Sequence, residues 1–220
     1  MEAAIRFLSP VDQYSTNQLF GSIDQLLGDG FTKIRLLLST PGGSVFHGLS
    51  VYNYLKGLPI EIDTYNFGSV DSIGVVIFSA GTNRFSVPHS RFLIHSVKFS
   101  TQGPISADEK QLDEFLKSLK IDQKNIAKVI ADTCSKTEED VDNDMNNRTT
   151  LTPEQAKNYG LVTGVKSELL VSGMRVITIG ETVPGHMNIP NNMVIPNFNS
   201  ISESNLNSFT ENISINIGTI

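Results

Sequence analysis

The chain has 220 residues and a formal net charge of −6 at pH 7, with 39% hydrophobic and 18% charged residues. This length and balance are typical of one soluble globular domain with or without an appendage, and the negative charge speaks against a nucleic-acid partner. The single cysteine excludes an internal disulfide, and no apolar run approaches membrane-spanning length. The N-terminal residues lack the pattern of a secretion signal, so we expect a cytoplasmic protein.

Strands and helices alternate over the first 168 residues. Apolar runs and alternating patterns predict five strands, at Ala3–Leu8, Ile34–Leu38, Ile60–Tyr65, Arg84–Val87 and Arg91–Ile94. Apolar residues at helical spacing from Val45 to Leu55 predict a helix between the second and third of these strands. The alternation predicts an α/β fold in which crossover helices join parallel strands.

The longest predicted helix runs from Ser106 to about Cys134. Ser106 and Glu109 have the spacing of a capping box. One apolar stripe follows the helix, formed by Leu112, Phe115, Leu116, Leu119, Ile126, Val129 and Ile130. About 28 residues would extend roughly 40 Å. This length favours projection toward another subunit, and the alternative is that the stripe packs within its own chain.

A short helix is predicted directly after Thr152. Thr152 is a suitable N-cap, Pro153 stands at the first helical position, and Gln155 follows three residues after the cap. Gly160 is expected to end this helix.

Composition changes near residue 169, and we divide the chain there into a domain of residues 1–168 and a C-terminal extension of residues 169–220. The extension is rich in Asn, Ser and Ile, and from residue 171 onward its charged side chains are Arg175, Glu181, Glu203 and Glu211. We expect it to be extended or partly disordered. The alternative is a few strands, at Met174–Ile179 and Asn192–Ile195, that dock on a neighbouring subunit.

Two glycine-containing turns follow predicted strands. In the first, Gly42 and Gly43 precede a helix, and backbone N–H groups in such a turn can bind an anion or a developing oxyanion. In the second, Ser72 stands before an apolar helix that starts at Ile73. A serine there is either an exposed nucleophile near the positive end of the helix dipole or a plain N-cap.

Four histidines are candidates for a general base: His47, His89, His95 and His186. His95 is the best placed, because it stands at the end of a predicted buried strand. His47 lies just inside a helix, His89 in a turn that contains proline, and His186 in the C-terminal extension. Solvated or structural roles are expected for these three.

Four motifs occur in a fixed order: Ser-Thr-Pro-Gly-Gly-Ser ending at Ser44, Gly-x-x-x-Ser-Ile-Gly ending at Gly74, Ser-Arg-Phe-Leu-Ile-His ending at His95, and Thr-Pro-Glu-Gln-Ala-Lys-Asn-Tyr-Gly-Leu-Val starting at Thr152. Their order and spacing, over about residues 3–168, resemble the Clp protease proteolytic subunit (ClpP) family. The resemblance implies a ClpP/crotonase-type fold of repeated β-β-α units with a protruding handle helix. It implies no cofactor and no metal ion.

The resemblance also assigns the site. Ser72 matches the nucleophile, His95 the general base, and the backbone N–H groups of Gly43 and Ile73 the oxyanion hole. In the family an aspartate stands four residues before the cap of the last helix, and here that position is Arg148. Asn147 is our candidate for the third catalytic residue, since an asparagine can orient a histidine through its Nδ1–H.

Two further carboxylates leave the third position open. Asp144 is the nearest carboxylate in sequence, and Asp71 lies beside the nucleophile as a source of local negative charge. The sequence alone leaves three alternatives for the third catalytic residue: Asn147, Asp144 or none.

The leading hypothesis is a serine endopeptidase that cleaves peptides or unfolded polypeptides inside a homo-oligomeric chamber, with heptameric rings as in the family. An AAA+ ATPase unfoldase is the partner that the resemblance implies, although the family's axial segment precedes the first strand and Ala3–Leu8 already matches that strand. One alternative is a non-catalytic subunit with a broken triad. Another keeps the fold but acts on acyl thioesters.

Overall fold

A mixed sheet of nine strands forms the centre of the computed structural model, which describes residues 1–99, 106–180 and 192–195. The strands are β1 Glu2–Leu8, β2 Lys33–Thr40, β3 Glu61–Asp71, β4 Asn83–Ser86, β5 Arg91–Leu93, β6 Thr150–Leu151, β7 Gly164–Val165, β8 Arg175–Gly180 and β9 Asn192–Val194. The helices are α1 Gln13–Gly28, α2 Val45–Gly57, α3 Ile73–Ser79, α4 Glu109–Cys134, α5 Glu138–Asn146 and α6 Pro153–Tyr159.

The main path across the sheet is β6-β5-β3-β2-β1-β8-β9. Strands β8, β1, β2 and β3 are mutually parallel, and the pairs that β6 forms with β5 and β9 with β8 are antiparallel. The predicted α/β class is therefore confirmed.

Strand β3 has two parallel partners on one side. Its first half pairs with β4, from Asp63 opposite Asn83, and its last residues pair with β5, from Ser69 opposite Arg91. This arrangement brings the carboxyl ends of β2, β3 and β5 to neighbouring positions on the sheet.

The helices expected after the glycine turns and after Thr152 are confirmed. Helix α3 is buried along its whole length, and its Phe78 packs edge-on against Phe92 of β5 with 5.0 Å between ring centroids. Helix α6 has the predicted capping box of Thr152 and Gln155, and Gly160 ends it at φ 93°. The buried position of α3 fixes its first turn relative to β5.

Helix α4 starts later than predicted. The capping box consists of Asp108 and Gln111, not Ser106 and Glu109, because the Asp108 carboxylate accepts the Gln111 N–H at 2.9 Å while the Gln111 side chain accepts the Asp108 N–H at 3.0 Å. The helix has 26 residues. Its C-terminal half packs in the core through residues such as Ile130, whereas Leu112 and Leu116 are 52% and 50% exposed. The exposed half agrees with a protruding handle.

No helix in the described residues is long and apolar enough to cross a membrane.

Two strands form in the C-terminal extension, where the alternative hypothesis placed them. Strand β8 pairs in parallel with β1 from Ala3 opposite Arg175, and β9 pairs with β8. The predicted docking on a neighbouring subunit is wrong for these strands, since they extend the sheet of their own chain. Residues 181–191 and 196–220 lie outside the described part, and the division of the chain at residue 168 stays a prediction.

Candidate active site

The two glycine-containing turns meet at the carboxyl ends of β2 and β3. Gly42 adopts φ 86°, and a Cβ atom added there would lie 2.6 Å from the Cβ of Ser72. Real side chains do not approach this closely, so only glycine lets the first turn lie directly against the serine.

Ser72 has an unusual backbone conformation for a residue with a side chain, with φ 59° and ψ −129°. Its N–H donates to the carbonyl of Leu93 at 2.8 Å, which ties the turn to β5. Its hydroxyl makes no capping hydrogen bond with α3. Ser72 thus stands at the N-cap position of α3 while its hydroxyl does not cap the helix, so the alternative of a plain N-cap is wrong.

The backbone N–H groups of Gly43 and Ile73 belong to the same two turns. Val11 donates its N–H to the carbonyl of Gly42 and accepts the N–H of Ser44, each at 2.8 Å. This parallel bridge leaves the N–H of Gly43 on the side away from Val11. Ile73 is the first residue of α3, so its N–H has no partner within the helix.

The His95 ring is held in one tautomer. Its Nδ1 lies 2.7 Å from the carbonyl oxygen of Ser96. A carbonyl oxygen can only accept, so Nδ1 donates, and in the neutral ring the lone pair that a general base needs is then on Nε2. The backbone on both sides is fixed, because Ile94 donates to the carbonyl of Thr149 at 2.9 Å and Ser96 to that of Met145 at 3.0 Å.

A cleft of about 140 Å³ joins these groups, and its lining consists of Gly43, Val45, Ser72, Ile73, His95, Val97, Lys98 and Ile126. It contains four of the five residues that the sequence assigned to the site. Aliphatic side chains form most of the remaining wall, with Lys98 as a cation among them. The motifs did not identify Val97, Lys98 or Ile126. Val97 and Lys98 follow His95 just beyond the end of its motif, and Ile126 reaches the cleft from α4 through tertiary packing.

The fifth residue, Asn147, is not brought to the ring. It ends α5 with its side chain exposed, and in the part of the chain that the structure describes no hydrogen bond joins it to His95. Its assignment stays a prediction that this geometry does not support.

The carboxylates considered as alternatives are also engaged elsewhere. Asp144 accepts the hydroxyl of Tyr159 at 2.7 Å, and burial together with this hydrogen bond raises the pKa of Tyr159 well above its ordinary value. Asp71 accepts the hydroxyl of Ser69 at 2.7 Å and pairs with Arg91 at 2.9 Å. In place of a carboxylate, the Ser96 carbonyl oxygen accepts the hydrogen bond from Nδ1–H of His95.

The other histidines lie outside the cleft. His47 in the first turn of α2 has its Nδ1 2.9 Å from the Ser44 hydroxyl, and His89 is exposed in the turn before β5. His186 is outside the described residues.

Arg148 is exposed at φ 55° and does not line the cleft. We expect Arg148→Asp to change kcat for peptide hydrolysis by less than about twofold, because a solvated charge outside the site is screened. Arg148→Asn is the control, since it removes the cation and tolerates the left-handed backbone without adding a carboxylate. A tenfold rise in kcat for Arg148→Asp alone would show instead that position 148 supplies the third catalytic group.

The sequence profile of the Clp protease family matches residues 1–168. The chain belongs to this family. ATP-dependent Clp protease proteolytic subunit 2 of Corynebacterium efficiens is 34% identical over 157 residues, which cover 70% of this chain and 77% of that protein. Proteolytic subunit 1 of Corynebacterium jeikeium is 32% identical, covering 70% of this chain and 81% of that protein.

The fold agrees with this membership. A mutant of ClpP1 from Listeria monocytogenes superimposes with a TM-score of 0.67 at 21% sequence identity, covering 75% of this chain and 91% of that one. The fold is thus of the ClpP type, as the motifs predicted. Family membership makes the chain a ClpP-like subunit of the serine peptidase kind, and members of the family act on peptide substrates as oligomeric assemblies.

Proposed function

We propose that this chain is an active serine endopeptidase that hydrolyses peptide bonds in peptides or unfolded polypeptides, with Ser72 as nucleophile and His95 as general base. The observation that carries the proposal is the strained Ser72, whose uncapped hydroxyl lies in one cleft with the His95 ring and the N–H groups of Gly43 and Ile73. A strained residue persists where the surrounding structure holds it, and such positions cluster at active sites.

The proposed reaction uses the His95 tautomer described above. Nε2 takes the Ser72 proton as Oγ attacks the scissile carbonyl, and the resulting oxyanion accepts hydrogen bonds from the N–H groups of Gly43 and Ile73. The imidazolium then protonates the leaving amine. Water attacks the acyl-serine in the second half of the reaction, again with His95 as base, and Ser72 is released.

The lining of the cleft supports a preference for substrates with an aliphatic side chain next to the scissile bond. Val45, Val97 and Ile126 offer an aliphatic wall, and about 140 Å³ accommodates a side chain of intermediate size. Assembly into a closed homo-oligomeric chamber is supported by the apolar residues on the exposed half of α4. Heptameric rings and an AAA+ ATPase partner are part of the proposal on the family resemblance alone.

A second candidate is a non-catalytic subunit. The observation that favours it is that the described residues place no carboxylate on His95 Nδ1. Two features favour catalysis: the fixed tautomer of His95 and the uncapped hydroxyl of Ser72. The acyl-thioester alternative has no support from the two relatives named above, which are proteolytic subunits.

A fluorophosphonate that labels activated serines separates these candidates. We expect intact-mass spectrometry to show one adduct on the wild type and none on Ser72→Ala, because only a serine that is activated by a general base beside an oxyanion hole reacts rapidly. Ser118→Ala on the exposed half of α4 is the matched control and should be labelled like the wild type.

The alternative outcome would be equally clear. An assembled wild type without adduct, under conditions that label another serine hydrolase, would establish the non-catalytic subunit. An adduct that persists in Ser72→Ala would place the nucleophile elsewhere.

A further inference from the structure

The peptide group between Ser96 and Val97 lies between the His95 ring and helix α4. Its carbonyl oxygen accepts the Nδ1 proton of His95 at 2.7 Å, and its N–H donates to the Oε1 of Gln123 at 2.9 Å. One rigid, polar group is therefore hydrogen-bonded to the imidazole at one end and to the handle helix at the other.

The chain of hydrogen bonds continues to a carboxylate. The Nε2 of Gln123 donates to the Oδ1 of Asp142 on α5 at 2.8 Å. The other oxygen of Asp142 accepts the Nδ2 of Asn146 at 3.1 Å, and the Oδ1 of Asn146 accepts the Ser96 hydroxyl at 2.7 Å. These bonds close a circuit that begins and ends at the residue after His95.

Both side-chain amides in the circuit have only one consistent orientation. The Val97 N–H can only donate, so it requires the oxygen of Gln123, and the ionised Asp142 can only accept, so it requires the two NH₂ groups. The peptide and the Gln123 amide thus align head to tail from the imidazole to the carboxylate. Aligned hydrogen bonds polarise one another, and an ionised acceptor strengthens the series.

We propose that Asp142, acting through Gln123 and the Ser96–Val97 peptide, positions His95 and stabilises the imidazolium that forms during catalysis. A directly bonded carboxylate has this role in serine proteases, and here it would act at a distance of one peptide and one amide. The inference rests on the proposed function. It assigns a role to Asp142, which lies outside the four motifs and is not at the family's aspartate position, where this chain has Arg148.

Other charges near Asp142 moderate its effect. A cavity of about 570 Å³ between α4 and α5 borders the circuit, and its charged lining residues are Lys120, Lys124, Glu138, Glu139 and Asp142. Solvent in this cavity and the two lysines screen the carboxylate. We therefore expect a smaller effect than the ~10⁴-fold loss that follows mutation of a directly bonded aspartate.

A charge exchange tests the proposal with little change in shape. Asp142→Asn removes the anion and is expected to lower kcat on the order of tenfold with KM unchanged within about twofold, since the relay acts on the base and not on substrate binding. Gln123→Glu alone places a second carboxylate beside that of Asp142, and the repulsion between the two negative charges should also lower kcat. The double variant Gln123→Glu with Asp142→Asn restores one carboxylate and one amide, and its kcat should return to within about threefold of the wild type.

The matched control is Glu139→Gln, which removes a negative charge from the same helix and the same cavity without touching the circuit. It should leave kcat unchanged. Thermal unfolding of every variant separates stability from catalysis. The proposal is overturned if Asp142→Asn keeps the wild-type kcat, or if the double variant regains stability but not kcat, because the circuit would then be scaffold only.

A second readout does not depend on activity. Magic-angle-spinning ¹⁵N spectra of sedimented protein with labelled histidine report the Nδ1 of His95, which is assigned by its loss in His95→Asn. We expect its signal to move in Asp142→Asn, to return in the double variant and to stay in place in Glu139→Gln. An Nδ1 signal that is the same in all variants would refute the relay even if fluorophosphonate showed the wild type to be inactive.

Discussion

His95→Ala should lower kcat for hydrolysis of a short fluorogenic peptide by about 10⁴-fold or more, because the described residues that line the cleft include no other imidazole and no carboxylate that could take the proton of Ser72. Lys98 also lines the cleft, but a protonated ammonium cannot act as a base. The rate of fluorophosphonate labelling should fall in parallel, since labelling uses the same activated hydroxyl.

His89→Ala is the control for this experiment. His89 is exposed in a turn outside the cleft, so its kcat should equal that of the wild type. Assembly and thermal unfolding of both variants should be unchanged. If His95→Ala kept more than a tenth of the wild-type kcat, the assignment of the general base would be wrong.

Gly43→Ala is expected to lower kcat by about 10²–10³-fold, the usual cost of losing one oxyanion donor. A Cβ atom at this position would lie 2.3 Å from the carbonyl oxygen of Val11, in a backbone at φ 150° that side chains rarely adopt. Because the obstacle is backbone, the turn must shift and carry the Gly43 N–H away from the oxyanion.

Gly57→Ala at the end of α2 provides the matched control. An added Cβ there meets no atom within 4 Å, so neither kcat nor the melting temperature should fall. A Gly43→Ala enzyme that melts like the wild type and retains its kcat would show that Gly43 is not an oxyanion donor. An equal loss in both variants would show a general effect of replacing glycine.

The handle helix illustrates how far periodicity can predict packing. Periodicity predicts one apolar face from Leu112 to Ile130, yet only the C-terminal part of this stripe is covered within the described chain. Gln123 interrupts this stripe at the spacing of an apolar residue, between Leu119 and Ile126. That interruption was the available sign that a polar contact is made there, and the structure places it on the Val97 N–H.

The site could be predicted only in part for a related reason. Ser72, His95, Gly43 and Ile73 belong to short motifs whose resemblance to the ClpP family predicts that they meet, and the structure places all four in the lining of one cleft. Ser72 lies against Gly42 in the turn after β2 and donates its N–H to Leu93 of β5, so its strained backbone is held in surroundings that are distant in sequence. A single-residue pattern cannot distinguish such a serine from an ordinary cap.

The amino-acid sequence alone determined the fold class, the order of most strands and helices, the family and four residues of the cleft. The fold class and the elements follow from local periodicity and capping, which are properties of neighbouring residues, whereas the family and the four cleft residues follow from the resemblance that the motifs carry. The tertiary structure decided which group holds His95, because the residues 96, 123 and 142 meet only when α4 and α5 pack against each other and against the segment that follows β5. It also decided that β8 extends the chain's own sheet, since strand pairing is a long-range contact that the pattern of one strand does not specify.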